Sequence, residues 1–127
     1  MSIYINGVGV ISPHSIQFEE ENLKNNSSER LCCIEPDYKL YFDPKQLRRM
    51  SRIVKLGSTA SMMALKDAGL EKPEAIVVGT GFGCLEDTTL FLKKLIVNQE
   101  ETLNPTPFIF STHNTIAAQI GIQLNAK

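Results

Sequence analysis

The segment covering residues 46–70, QLRRMSRIVKLGSTASMMALKDAGL, constrains the fold more than any other part of this chain. Its apolar residues recur at helical spacing and form one stripe, which also includes the small residues Gly57, Ser58 and Ser61. Small residues let a neighbouring helix or sheet approach closely. The segment therefore predicts a long central helix that is buried in the core.

Both ends of this helix carry sequence signals. Asp43 is a candidate N-cap and Pro44 suits the first helical position. Gly69 fits the left-handed position after the last turn, and Leu70 can fold back onto the helix as the apolar partner of that cap. We therefore expect a helix that begins near residue 44 and ends near residue 68.

Two apolar segments predict strands. Residues 2–12, SIYINGVGVIS, alternate and then run apolar, with Gly7 and Gly9 marking a bend or a close backbone approach. Residues 74–83, EAIVVGTGFG, are apolar on both faces, as in a parallel sheet covered on two sides.

The rest of the chain predicts loops and two further helices. Two segments predict loops, FEEENLKNNSSER and ETLNPTPF, and LCCIEPDYKLYFDP predicts an irregular segment. Helices are predicted for CLEDTTLFLKKLIVNQE and for the segment after FIFSTHN. The order β–loop–α–β–α–loop–α indicates an α/β class and one domain over residues 1–127, with an unfinished sheet.

Composition excludes several function classes. The net charge is −1, and the one cationic run, QLRRMSRIVK, favours a solvated helix face over a nucleic-acid site. No apolar stretch suits a membrane span or a signal peptide, so we expect no membrane partner and a cytoplasmic protein. The cysteines Cys32, Cys33 and Cys84 form no disulfide framework, and with His14 and His113 they show no metal-ligand spacing.

The glycine loop GTGFG, with Gly79, Gly81 and Gly83, first suggests a dinucleotide site. Its third glycine falls one position early, and Glu86 and Asp87 in the next helical turn would repel a pyrophosphate. A phosphate-binding P-loop is excluded because no Gly-Lys-Ser/Thr follows. Dinucleotide binding and a plain turn without a ligand both remain alternatives, and we expect no cofactor.

Four segments together carry a family resemblance: IYINGVGVISP, RRMSRIVKLGSTASMMALKDAGL, IVVGTGFGCLEDTTLFL and LNPTPFIFSTHNTIAAQIGIQL. In this order and spacing they resemble the N-terminal part of the β-ketoacyl-acyl-carrier-protein synthases, and more closely the divergent ketosynthase-like members. The resemblance implies a partial thiolase-like fold, with a mixed or parallel sheet packed by helices. It covers nearly the whole chain and is weakest over the loop that precedes Asp43.

The resemblance also implies an activity. Members of the family catalyse decarboxylative condensation of acyl and malonyl thioesters on acyl carrier protein, in fatty acid or polyketide-type biosynthesis. Their nucleophilic cysteine and two histidines come after the segment that matches IAAQIGIQLNAK. No cysteine here matches that position, so we predict no catalytic residue in this chain and no activity for it alone, and whether it belongs to an enzyme stays open.

The matched positions imply roles in shape and assembly. Phe82, between Gly81 and Gly83, corresponds to a family residue that lines the acyl-chain pocket. A large aromatic side chain at this position would shorten the pocket. The other interpretation is that Phe82 belongs to the ordinary core. Four positions match a family segment that packs at or near the dimer interface: Ser111, Thr112, Asn114 and Thr115. They could contribute to that interface or to the pocket wall, or they could be caps of the helix that follows. Expected partners are acyl carrier protein and either a second copy or an active ketosynthase. A non-catalytic module that shapes such a partner's pocket, like a chain-length factor, is the alternative function.

Overall fold

The computed structural model describes residues 2–13, 32–101 and 104–126, so the predicted loop over residues 18–30 and His14 lie outside it. A 3₁₀ turn over Tyr38–Leu40 precedes the α-helices. In chain order these are α1 Pro44–Leu47, α2 Arg52–Asp67, α3 Leu85–Val97, α4 Pro105–Ser111 and α5 Thr115–Gln123. None of the helices within these ranges is long and apolar enough to cross a bilayer.

The predicted central helix is two helices, α1 and α2, separated at residues 48–51. Its start is confirmed: Asp43 is the N-cap, and its backbone N–H donates to Gln46 Oε1 at 3.3 Å. The prediction of one continuous helix is wrong because Ser51 adopts an extended backbone and begins a second helix as N-cap. Serine is a favoured N-cap, and the break lets the adjacent Met50 turn into the core.

The predicted end of α2 at Gly69 is confirmed by its backbone, whereas the Leu70 side chain is 51% exposed and its predicted apolar contact with the helix stays a prediction. Gly69 has a φ of +67°, and its N–H donates to Lys66 O at 3.2 Å. The Leu70 N–H donates to Leu65 O at 2.9 Å, which completes the pair of bonds of a Schellman cap. The left-handed backbone at this position favours a residue without a Cβ, and this accounts for the glycine.

The core lies between α2 and α5. A Cβ on Gly57 would lie 3.0 Å from Ile116 Cγ2, and Gln123 Nε2 lies 3.6 Å from Met50 Sδ. Ile116 near the start of α5 lies beside the middle of α2, and Gln123 at the end of α5 lies beside the residues that precede α2. The two helices therefore run antiparallel. The predicted small-residue contact is therefore confirmed. Val54, Ile116 and Ile120 fill the seam, and burying each side chain stabilises the fold by about 2 kcal/mol.

The N-terminal segment, residues 2–13, packs its backbone directly onto α2. A Cβ on Gly9 would overlap Ala60 O, and a Cβ on Gly7 would lie 2.6 Å from Ala68 N. The Val8 N–H donates to Asp67 Oδ2 at 2.9 Å, and the Ile34 N–H donates to Ser12 O at 3.0 Å. The predicted close approach at the two glycines is confirmed.

The predicted sheet is not confirmed, since no strand is assigned within residues 2–13, 32–101 and 104–126. The prediction that residues 74–83 are covered on both faces is wrong: Val77 is 95% exposed, while Ile76 and Val78 are half-buried. One face meets α5, where a Cβ on Gly121 would lie 3.7 Å from Ile76 Cδ1. The other face has no neighbouring layer in the described ranges.

A hairpin of α3 and α4 completes the described structure. The rings of Phe91 and Phe108 pack with centroids 5.4 Å apart. The Thr88 hydroxyl lies 3.3 Å from Ser111 O and 3.0 Å from Cys84 O. These contacts join the start of α3 to the end of α4.

We predict that Gly9→Ala destabilises the protein by about 3 kcal/mol, because the new methyl group overlaps the α2 backbone and forces the N-terminal segment away. Gly81→Ala is the matched control, since a Cβ there meets no atom within 4 Å. Urea unfolding followed by circular dichroism measures both free energies of unfolding. Equal stability of the two variants would contradict the described packing.

Candidate functional site

The loop over residues 80–84 turns the chain into α3. The Gly83 N–H donates to Thr80 Oγ1 at 3.0 Å, and Gly83 has a φ of +57°, a conformation that favours glycine. Cys84 follows as the N-cap of α3, without a side-chain capping bond. Gly79 and Gly81 have no positive φ and open space beside them. The turn itself therefore requires a glycine only at position 83.

Phe82 lies at a shallow cavity of about 200 Å³ between α2 and the start of α3. Phe82 is 84% exposed, so its interpretation as ordinary core is wrong. Its apolar neighbours on α2 are Ile53 and Leu56, and Gly83 also lines the cavity, whereas Gly81 does not. The role of Phe82, Gly81 and Gly83 in acyl binding stays a prediction.

Cys84 lines the same cavity but is not activated as a nucleophile. It is only 4% exposed, and its thiol lies 3.6 Å from Thr112 O, which it can use as an acceptor. Burial and the nearby Asp87 carboxylate both raise the pKa of the Cys84 thiol. Burial also raises the pKa of Asp87 itself. The thiolate, the reactive form, is therefore disfavoured at this helix N-terminus.

The corner between α4 and α5 holds the other predicted site residues. The hydroxyls of Thr112 and Thr115 are 2.8 Å apart, and both lie within hydrogen-bond distance of Ile109 O. The Ser111 hydroxyl donates to Phe108 O at 2.7 Å. These side chains bond to carbonyls at the end of α4, and the N-cap residue of α5, Asn114, makes no side-chain capping bond, so the expected capping of the following helix is not observed.

The residues of this corner differ in exposure, since Thr112 is exposed while Thr115 is buried. Thr115 is 5% exposed and so faces the interior of its own chain. Asn114 is the N-cap residue of α5 without a side-chain capping bond, and both it and His113 are exposed. Thr112 contacts Cys84, so the structure brings this corner next to the glycine loop and the start of α3. An interface role for these four residues stays a prediction.

A cluster that the sequence did not reveal holds one wall of the cavity. Arg52, which lines the cavity from α2, donates from Nε to Glu35 Oε1 at 2.6 Å. The Tyr38 hydroxyl donates to Glu35 Oε2 at 2.9 Å. The bonds from Arg52 and Tyr38 hold the pKa of Glu35 below its usual range. Burial, and next the Glu35 carboxylate, raise the pKa of Tyr38 to about 12.

Within residues 2–13, 32–101 and 104–126, no three His, Cys, Asp or Glu side chains come together as a metal site would require. The three cysteines are free. The arrangement at the cavity is an apolar floor with an exposed aromatic ring, flanked by one arginine and the acidic first turn of α3. Such a surface suits the packing of an apolar chain better than the binding of a phosphate.

The sequence matches the family model described as beta-ketoacyl synthase, N-terminal domain, over residues 17–127. That match covers most of the chain, and the protein therefore belongs to the β-ketoacyl synthase family, whose N-terminal domain implies a thiolase-like fold. A search of curated proteins finds no match. The match confirms the resemblance on which the sequence interpretation rests.

We predict that Tyr38 titrates in a late step, above the ordinary range of a tyrosine pKa. Because its folded pKa lies above the ordinary value, the cluster's contribution to stability is complete below about pH 10 and is lost as the pH rises toward 12. Glu35→Gln removes the carboxylate and should lower this pKa. Ultraviolet titration of phenolate formation measures it, with Tyr38→Phe as the control that identifies the late step. An unchanged late step in Glu35→Gln would contradict the cluster.

Proposed function

We propose that this chain is the N-terminal part of a condensing unit of the β-ketoacyl-acyl-carrier-protein synthase type. The reaction would be decarboxylative condensation of acyl and malonyl thioesters held on acyl carrier protein, as in fatty acid or polyketide-type biosynthesis. The observation that carries the proposal is the family match over residues 17–127. In the assembled unit, residues 2–12 and 74–80 would pair in the sheet of a thiolase-like fold.

The chain's part in this chemistry would be to shape the acyl site without providing its nucleophile. Acyl transfer from a carrier-protein thioester needs a thiolate that the thioester carbon can reach. Cys84 lacks both properties, because it is buried and its pKa is raised. Cys32 and Cys33 precede the 3₁₀ turn and lie at no helix N-terminus. The chain alone is therefore catalytically silent in this proposal.

Phe82 is the proposed pocket residue. Its exposed ring stands beside the apolar side chains Ile53 and Leu56, where an acyl chain could pack. An aromatic ring at this point would limit the length of the chain that fits. Three free cysteines also suit a reducing compartment, which supports the cytoplasm as the proposed location.

The carrier protein would dock on the cationic surface of α1 and α2. Lys45, Arg48, Arg49 and Arg52 are exposed there, and the sequence contains no Asp or Glu from residue 44 to residue 66. In the described part of the chain, only Arg52 of these four has an ion-pair partner. An uncompensated positive surface attracts an acidic carrier protein and speeds its association. Arg52 also lines the cavity, so this surface adjoins the proposed acyl site.

We predict that the double variant Arg48→Glu/Arg49→Glu binds acyl carrier protein at least about tenfold more weakly than the unchanged chain, because repulsion replaces attraction. Lys72→Glu, an exposed reversal in the loop after α2, should leave the affinity within about twofold. Fluorescence anisotropy with labelled acyl carrier protein measures the dissociation constants at low and high salt. Equal affinity of the double variant and the control would overturn this docking surface.

A further inference from the structure

Cys32 and Cys33 are adjacent thiols for which the fold gives no packing reason. Both are free, and Cys32 is exposed while Cys33 is half-buried. The core of the described part of the chain contains Cys84 and neither of the other two. Neither thiol lines the cavity at Phe82, so the proposed acyl chemistry does not use this pair, which we call the dithiol. A cysteine that packing does not require is usually present for its reactivity.

The two residues that follow hold the dithiol beside the start of α2. The Ile34 N–H donates to Ser12 O at 3.0 Å. The Glu35 carboxylate accepts from Arg52 Nε at 2.6 Å and from the Tyr38 hydroxyl at 2.9 Å. The dithiol therefore lies on a segment that is anchored at Ile34 and Glu35, with an arginine as its neighbour.

Positive charge exceeds negative charge in the cluster beside the dithiol. Cys33 lies close enough to Arg52 for a thiolate there to interact with the guanidinium. The pKa of Glu35 is lowered first by the bonds from Arg52 and Tyr38, and further by the charges of Arg52 and Lys55. Two cations therefore meet one carboxylate in this cluster. Reactive cysteines occupy such electropositive, partly exposed surroundings, and positive surroundings also attract anionic reagents.

We propose that the dithiol is a reversible modification site for anionic low-molecular-weight disulfides, the chemical class of oxidised glutathione. The exposed Cys32 thiolate attacks one sulfur of the small disulfide, whose S–S bond breaks. The other half leaves as a thiolate and takes up the proton that Cys32 lost. Cys33 then loses its proton, attacks the Cys32 sulfur of this mixed disulfide and releases the second small thiol. The two protein thiols are oxidised to a Cys32–Cys33 disulfide, and the small disulfide is reduced to two thiols.

Closure between adjacent residues makes the Cys32–Cys33 disulfide labile. A trans peptide separates neighbouring Cα atoms by about 3.8 Å, whereas disulfides usually join Cα atoms roughly 4.4–6.8 Å apart. The anchors at Ile34 and Glu35 also limit how far the backbone can adjust. Strained and exposed disulfides are the easily reduced ones. The dithiol therefore stays reduced at a reducing glutathione poise and closes when small disulfides accumulate, independently of the proposed condensation chemistry.

Intact-mass spectrometry of the chain in excess oxidised glutathione tests the two steps. The Cys33→Ser variant has no resolving thiol, so we predict that it accumulates one glutathione adduct, which peptide mapping places on Cys32. The unchanged chain should pass through that adduct and end with its two adjacent thiols joined and no adduct. The Cys32→Ser variant should form its adduct at least about tenfold more slowly, because Cys33 is half-buried.

Cys84→Ser is the matched control, because Cys84 is buried and should not react in the folded chain. This variant should react as the unchanged chain does, and circular dichroism verifies that every variant keeps its helical content. A lasting adduct on the unchanged chain overturns the resolving role of Cys33. Equal rates for Cys32→Ser and Cys33→Ser overturn the role of Cys32 as the attacking thiol. No reaction of the unchanged chain overturns the site.

Disulfides of opposite charge test the preference for an anionic reagent. Oxidised glutathione is anionic at neutral pH, whereas cystamine is a dication. Because the cluster beside the dithiol is positive, added salt should slow the reaction with oxidised glutathione at least about twofold and accelerate the reaction with cystamine. The same salt dependence for both reagents would overturn the preference.

Equilibration in glutathione buffers tests the lability of the closed form. With reduced glutathione in about hundredfold excess over oxidised glutathione, the dithiol should stay open, and it should close as oxidised glutathione comes to dominate. Alkylation after acid quenching counts the open thiols. A Cys32–Cys33 disulfide that persists in the reducing buffer would overturn the reversibility.

Discussion

The described structure depends on the close approach of other backbone to α2. Gly57 leaves room for Ile116 of α5 on one side of the helix. On another side, the N-terminal segment packs with Gly9 against Ala60 and with Gly7 against Ala64. Larger side chains at these contacts would separate the layers and remove the dispersion contacts that hold them. Because Val54 and the isoleucines of α5 are buried in the α2–α5 seam, these small residues also determine where the core lies.

The cavity beside Phe82 follows from this arrangement. α2 supplies Arg52, Ile53 and Leu56 as one wall, and Glu35 and Tyr38 hold Arg52 in place. The opposite wall is the first turn of α3, tied to the corner between α4 and α5 by the contact of Cys84 with Thr112. Burial of that thiol against a carbonyl suits a structural role for Cys84, while the exposed ring of Phe82 remains free to contact a ligand or a partner.

Local signals in the sequence predicted the features that short stretches of chain determine. The Asp43–Pro44 helix start and the Gly69–Leu70 cap each depend on a few adjacent residues, and the tight contacts at Gly7, Gly9 and Gly57 follow from the absence of a side chain. The interruption before Ser51 was missed because helical periodicity continues across it. The Glu35–Arg52 bond was missed because it joins the first residue of α2 to a residue of an irregular segment 17 positions earlier. The exposure of Val77 and Phe82 depends on which layers surround them, and apolar composition alone does not determine that.

We propose that this member of the β-ketoacyl synthase family shapes an acyl site but holds no nucleophile of its own. Intact-mass spectrometry of the Cys32→Ser/Cys33→Ser variant, incubated with acyl-loaded acyl carrier protein, tests it most directly because Cys84 is then the one thiol left. Alkylation of the same variant in urea verifies that Cys84 reacts once exposed. No acyl adduct is expected on the folded chain. An acyl thioester on Cys84 that malonyl-carrier protein then discharges would contradict it.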